Sequence, residues 1–424
     1  RRLYGERVMD LHKIHHPDNF NFVRQIGSSK KSGSAAAASA RRFAAKTERE
    51  RLELAVESFG NDVYRLEIVD GRWGTRESQA ELTPPSGGTN ASSLSLSAGG
   101  GLSLEYGTGK KKQVLLEGLA GATFGVSGNS WMLRFESEEG DRFYGMGEKW
   151  GPLEKTGQKS QFWNTDVWAD FHPTDIADAN VDSPYASIPY LILERNGVFI
   201  GILLDNAFRT FMATNPRFWL QDGSEPTAKK AKKKAAKSAP PASTSLFYVG
   251  AVEGAASVYF LVGPTLVELT KKLQRLVGTT PRPPLWALGN HQCRWGYGGE
   301  DDLKRLDAGY VKHGIPCDGL WLDIDYMDGY RVFTLSEDNF SGVAKAGAKS
   351  GKPLAELQKL RERGRRIVPI LDPGVKVDAG YRIYEEGLKD GHFCLTPAGR
   401  PYTGIVWPGL THFPDFSRDK TRRF

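Results

Sequence analysis

An antiparallel β-sandwich over residues 51–263, followed over 285–424 by the opening part of an incomplete parallel (β/α)8 TIM barrel, is the fold this sequence predicts. Three observations carry the prediction. Short segments with apolar residues at every second position, separated by turn residues, fill the first span. After residue 284 the order becomes strand, helix, strand, helix, strand, which requires parallel pairing across helical connections. Carboxylates and aromatics then sit where those strands end, and the carboxyl ends of successive strands are where a barrel presents its site.

The segment 1–50 reads as partly disordered, because residues 28–47, "SSKKSGSAAAASARRFAAKT", are low in complexity. Residues 84–101, rich in Gly and Ser, and 223–245, rich in Lys, Ala and Pro, read as loops for the same reason. Alternation marks strands at Leu52 to Val56, Tyr64 to Ile68, Leu102 to Tyr106, Val114 to Glu117 and Trp131 to Phe135. The clearest hairpin is "YLILERNGVFIGILL", where Asn196-Gly197 supplies the two positive-φ positions of a type I′ turn. Strands at Leu246 to Val249 and Val258 to Val262 complete the sandwich.

The period then changes. Leu266, Leu269, Leu273 and Leu276 recur at threes and fours behind Pro264, and Gly278 supplies a stop, so 264–284 is a helix followed by the linker "PRPP". An apolar strand, Leu285 to Leu288, runs into "GNHQCRWGY"; a helix over Glu300 to His313 is stopped by Gly314. The strand "CDGLWLDID", a helix from Pro353 to Arg363 stopped by Gly364, and the strand "RIVPILDPG" follow. An open doubly wound sheet has the same order, but neither GxGxxG nor GxxxxGK[ST] occurs to hold a dinucleotide or nucleoside triphosphate. A barrel is the better reading.

The net charge of +7 does not point to nucleic acid, because six lysines lie between Lys229 and Lys237, in a run that reads as a solvated loop; without them the balance is +1. Under the nucleic-acid alternative, deleting 229–237 would abolish oligonucleotide binding and leave sugar binding intact. Cys293, Cys317 and Cys394 lack CxxC spacing and predict neither a zinc site nor a disulfide framework. No metal or organic cofactor is implied. No stretch approaches the roughly 18 apolar residues of a membrane-spanning helix, so no membrane partner is expected. Reduced thiols favour the cytoplasm, while a first residue other than Met leaves export open.

Carboxylates that make charge-assisted hydrogen bonds to hydroxyls, together with flat aromatics that cover the C–H face of a sugar ring, suit carbohydrate. The candidates are Asp323, Asp325 and Asp372, with Trp295, Tyr297, Trp321, Tyr326 and Trp407. Singly, a strand-end Asp fits a capping role and a Trp fits a core; jointly they point to a sugar. On a strand, Asp323 and Asp325 would share a face, with Arg294 or Arg331 to offset their charges. Acid and nucleophile must flank a bond roughly 5 to 9.5 Å apart, so a pair this close is assigned to binding.

Six segments in order, "RFYGMGEKWGPLEKTGQKSQFWNTD", "SPYASIPYLI", "WALGNHQCRWGY", "DGLWLDIDYMDGYRVFT", "ILDPGV" and "VWPGLTHFPDFS", resemble the signatures of glycoside hydrolase family 31, the α-glucosidase family. The resemblance implies a galactose-mutarotase-like sandwich, a (β/α)8 barrel and a retaining mechanism acting on an oligosaccharide or α-glucoside. Asp323 and Trp407 resemble the family's ligands to the terminal sugar. Ile324 and Ile370 resemble apolar wall residues there, and Trp295 an aromatic lining it. Asp166 resembles the acidic residue of a sandwich loop over the barrel mouth. The nucleophile and the acid/base of the family lie at later strands, expected beyond Phe424, so no residue of this chain is assigned a catalytic role. The expectation is an N-terminal piece of a retaining exo-acting glycosidase. The alternatives are an α-xylosidase or α-glucan lyase of the same family, or a non-catalytic carbohydrate-binding protein. Oligomeric state is not legible.

Overall fold

The computed structural model describes residues 20–28, 30–31, 41–69, 71–73, 88–149, 151–164, 185–214, 246–340 and 355–424. The chain divides into two compact units, Arg1–Thr280 and Pro281–Phe424.

In the first unit, a six-stranded and a nine-stranded antiparallel sheet enclose one apolar core, with a three-stranded sheet of Ser92–Leu96, Leu102–Tyr106 and Gln113–Gly118 beside them. The alternation read from the sequence is the alternation of faces. Trp131, Leu133 and Phe135 enter the main core with Leu54, Leu66 and Phe260, whereas Met132 packs on the opposite face with Phe211 and Tyr248. At the hairpin tip Arg195 pairs with Val198, and Asn196 and Gly197 have φ of 52° and 76°, as the two-residue turn requires.

The helix Leu266–Val277 begins at Thr265, whose hydroxyl accepts the Glu268 N–H in a Thr-x-x-Glu cap, and ends at Gly278. Its Leu269 and Leu276 pack on Tyr259, Leu261, Tyr190 and Val63, the outer face of the nine-stranded sheet. Contact there is close: a Cβ on Gly263 would lie 2.7 Å from the Leu269 amide nitrogen. Strands buried on both faces explain why Ala256–Gly263 reads as a nearly unbroken apolar run.

Two segments read as loops contain strands. Arg41–Lys46 pairs with Arg51–Gly60, and Ser92–Leu96 pairs with Leu102–Tyr106. Each keeps a period-two face, Phe43 with Ala45 and Leu94 with Leu96, within a composition of small and polar residues that hides it. Residues 32–40, 74–87 and 215–245 lie outside the described residues, and so does the lysine run.

In the second unit, His291–Gln292, Gly319–Leu322 and Arg366–Pro369 form a parallel sheet in that order, joined through helices Glu300–Lys312 and Ala355–Glu362. Leu303, Leu320, Leu322, Phe340 and Leu360 make its core. One expectation fails: Leu285–Leu288 is a 3-10 turn with Leu285 and Leu288 exposed, not a strand. Pro284 opens the turn and Gly289 closes it, so pairing starts at His291. A second, antiparallel sheet of Val375–Lys376, Gly409–His412 and Thr403–Val406, with helix Arg382–Asp390, had no counterpart in the sequence reading.

Asp307, on the first connecting helix, is tied to the segment that follows the second. Its buried carboxylate accepts hydrogen bonds from Arg363 and Arg365, each at 2.7 Å. Burial pushes the carboxyl up, and the bonds from Arg365 and Arg363 overturn that and hold it below its ordinary range. A depressed carboxylate contributes stability above the unfolded pKa of about 3.9, and that contribution disappears as pH falls through the folded value. Asp307→Asn should therefore cost about 3 kcal/mol at neutral pH. In urea titrations the difference from wild type should shrink below about pH 4; a difference constant down to the lowest pH would refute the pairing.

Candidate carbohydrate site at the parallel strand ends

The second parallel strand stops at Leu322, whose carbonyl accepts the Ile370 N–H at 2.8 Å. Asp323 and Ile370 thus emerge side by side where the second and third strands end. Asp323 turns its carboxylate back to accept the Ile324 N–H at 2.7 Å, which starts a 3-10 turn over Ile324–Tyr326. From that turn Tyr326 reaches across and donates to the Ile370 carbonyl at 2.8 Å. The Tyr326 ring is buried, and so is Ile324, while Ile370 packs at the edge of the same core.

The turn corrects the expected pairing of carboxylates. Residues two apart share a face on a strand, but with three residues per turn they do not. Asp325 is directed to Tyr330, whose hydroxyl donates to it at 3.3 Å. The carboxylate coupled to Asp323 is Asp372 instead. Burial pushes the Asp372 carboxyl up, and the nearby Asp323 charge adds to the rise. The register carries the signal for this pair, because Leu322 lies opposite Pro369 and both aspartates follow within a few residues.

Neither arginine serves the expected role. Arg331 binds Asp378 through Nε at 3.0 Å and Nη2 at 2.6 Å, with Asp328 at 3.3 Å, and Arg294 lies 5.9 Å from the centre of the Tyr297 ring. Tyr330 and Phe333, in the loop after Asp325, have φ of 61° and 62°, a strained conformation for bulky residues that concentrates at functional loops.

The aromatic candidates separate into two groups. Tyr297 is buried and receives a hydrogen bond from Gln292 at 3.0 Å; Trp321 donates to His291 Nδ1 at 3.0 Å. Those two are structural. Trp295 and Trp407 are 70% and 64% exposed, available to a ligand. Trp407 and Pro408 form the tip of the hairpin in which Val406 pairs with Gly409. Gly374, two residues past Asp372, brings that hairpin close: a Cβ there would lie 2.7 Å from Thr411 Cγ2 and 3.4 Å from Val406 Cγ2. Asp166 lies outside the described residues. Among the described residues no cluster of His, Cys, Asp and Glu has the arrangement of a metal centre.

Carboxylates that accept hydrogen bonds and exposed indoles, gathered at parallel strand ends, are side chains of the kind that suit a neutral polyhydroxylated ring. Residues 28–212 match the glycosyl hydrolase 31 N-terminal galactose mutarotase-like domain, and residues 280–424 match the glycosyl hydrolases family 31 TIM-barrel domain. The chain is 35% identical over 311 residues to alpha-glucosidase 2 of Bacillus thermoamyloliquefaciens, covering 73% of this chain and 34% of that protein. It is 35% identical over 240 residues to neutral alpha-glucosidase C of Homo sapiens, covering 57% and 25%. It therefore spans about a third or less of the length of these relatives. Its fold is similar to that of a Flavobacterium johnsoniae GH31 dextranase complexed with isomaltotriose, with TM-score 0.74 and 19% identity over 95% of this chain and 45% of that one. The glucosidase II alpha subunit is similar at TM-score 0.69 and 20% identity, covering 95% and 49%. With a sandwich, parallel strand ends and two domain matches in the same order, the chain belongs to glycoside hydrolase family 31.

Proposed function

We propose that the protein is a retaining, exo-acting glycoside hydrolase that removes terminal α-linked glucose from oligosaccharides, and that this chain supplies the pocket for the terminal sugar. The observation that supports the reading most is that Asp323 and Asp372 follow adjacent strand ends, with the Trp407 hairpin close against Gly374, two residues past Asp372. In this reading Asp323 accepts hydrogen bonds from sugar hydroxyls, and Asp372 assists it. Ile324 and Ile370 wall the pocket. Trp407 and Trp295 cover ring faces.

Asp323 and Asp372 are binding groups rather than the catalytic pair. Both follow the ends of adjacent parallel strands, whereas cleavage with retention needs one carboxylate on each side of the scissile bond. No residue of this chain is assigned as the nucleophile or the acid/base of that reaction. The nucleophile forms a β-glycosyl-enzyme, and the second carboxyl, first an acid, then activates water as a base.

The test uses the full-length gene product and a malto-oligosaccharide labelled at its reducing end. An exo-acting α-glucosidase releases unlabelled glucose and leaves the label on a chain one unit shorter. Internal fragments, or an anhydro sugar from elimination, would overturn the exo-hydrolase assignment.

A further inference from the structure

We propose that His412 is a positioning residue: its uncharged imidazole, enclosed at the base of the hairpin, holds Trp407 over the sugar pocket, and acid pH releases that hold. The proposal deepens the sugar-pocket reading above and rests on it for its kinetic consequences.

His412 occupies the junction of three elements. It lies on the central strand of the second sheet, paired on one side with Thr403, where the hairpin begins, and on the other with Val375, three residues past Asp372. Trp407 sits at the opposite end of that hairpin. The ring is buried between Tyr384, with centroids 5.6 Å apart, and the edge of Phe393, at 5.2 Å. Its Nε2 is 3.1 Å from the Thr403 hydroxyl, a side-chain bond that crosses the hairpin. Its Nδ1 is buried with no hydrogen-bond partner among the described residues.

These contacts select the protonation state. We assign the proton to Nε2, which donates to Thr403 Oγ1, because this leaves the buried Nδ1 a bare acceptor rather than an unpaired N–H. A second proton would have to sit on Nδ1, creating both a buried unpaired donor and a buried charge. The surroundings offer no compensation. Tyr384 is the titratable group that faces the ring from helix Arg382–Asp390, and Lys376, on the neighbouring strand, gives its ammonium to the Gly329 carbonyl at 2.9 Å. No ion pair joins His412 to a carboxylate among the described residues. Burial accordingly lowers the pKa of His412 from the ordinary histidine range. A histidine held neutral contributes its full stabilisation above the unfolded pKa of about 6.5, and that contribution falls as pH drops below it. The hairpin is the element freed when it is lost.

The experiment takes the full-length gene product with a nitrophenyl α-glucoside, measuring KM and kcat between about pH 5 and 7.5, the range in which histidine titrates. Amide hydrogen exchange of residues 403–412 is followed in the same range. Wild type is expected to show a several-fold rise in KM toward acid with a smaller change in kcat, and a parallel loss of hairpin protection. His412→Phe, which keeps the aromatic packing but cannot be charged, should flatten both pH profiles. Thr403→Val, a milder change that also serves if His412→Phe does not fold, should raise KM across the range. Trp407→Ala separates the two layers of the argument. If it leaves KM unchanged, the pocket reading fails, while pH-dependent hairpin protection that is lost in His412→Phe still upholds the clasp. If Trp407→Ala raises KM but the wild-type exchange of 403–412 is independent of pH, the clasp is overturned and the pocket reading stands.

Discussion

Asp323→Asn in the full-length gene product is expected to lower kcat/KM on an α-glucoside by at least about a hundredfold. A hydrogen bond to a charged group contributes about 1.5–3 kcal/mol, and two such bonds to sugar hydroxyls correspond to roughly two to four powers of ten. Stability should barely change, because the Asn carboxamide oxygen can still accept the Ile324 N–H that Asp323 now receives at 2.7 Å. The same variant carries a second signature. Burial is the larger cause of the raised Asp372 carboxyl and the Asp323 charge the smaller, so removing that charge lowers the Asp372 pKa part of the way. The residual activity should therefore keep its plateau to lower pH than the wild type. Wild-type kinetics in Asp323→Asn, or an acid limb displaced upward, would refute the pair.

The second large effect concerns stability. Arg195 and Asp141 are 1% and 3% exposed at their side chains, and they meet through two bonds, Nε to Oδ1 at 2.8 Å and Nη2 to Oδ2 at 2.6 Å. Arg195 also donates to the Glu136 carbonyl at 3.0 Å. Removing one partner strands a buried charge, so Arg195→Met should cost about 3–5 kcal/mol. In a unit of this size that corresponds to a fall in melting temperature of about 10 °C. The double variant Arg195→Met with Asp141→Leu should be more stable than Arg195→Met alone, since no buried charge is then left without a partner and Glu138, which also pairs with Arg195, is half exposed. Calorimetric unfolding of the three proteins decides it, and an additive double variant would contradict the account.

Arg195 also shows what a sequence does not display. It precedes the Asn196-Gly197 turn that was read correctly, yet nothing in "LERNG" says that the arginine turns inward, because its partner stands 54 residues earlier. Elements with a strong local signature were legible. The leucines spaced at threes and fours behind Pro264 and the Gly278 stop define their helix, and the parallel order of the barrel strands follows from the helices between them. The strands Arg41–Lys46 and Ser92–Leu96 were hidden because small and polar residues mask a face of only two apolar side chains. Leu285–Leu288 is apolar for a different reason from the one read: its exposed leucines belong to a turn set by Pro284.

At the site, residue type and position were legible and orientation was not. Asp323 and Trp407 carry the resemblance to the family, but the 3-10 turn over Ile324–Tyr326 depends on a side-chain cap and a tyrosine bond to another strand. Alternation along a single strand could not foresee that Asp323 would couple to Asp372 rather than to Asp325. The hairpin that presents Trp407 was equally hidden, since its anchors, Val375 and His412, are distant in sequence and ordinary in type.

A crystal structure of the full-length gene product with glucose bound tests the central claim most directly. The account predicts a pyranose at the parallel strand ends, with hydroxyl oxygens about 2.5–3.0 Å from the Asp323 carboxylate and the ring face against Trp407. Glucose bound with Asp323 and Trp407 both out of contact would contradict it.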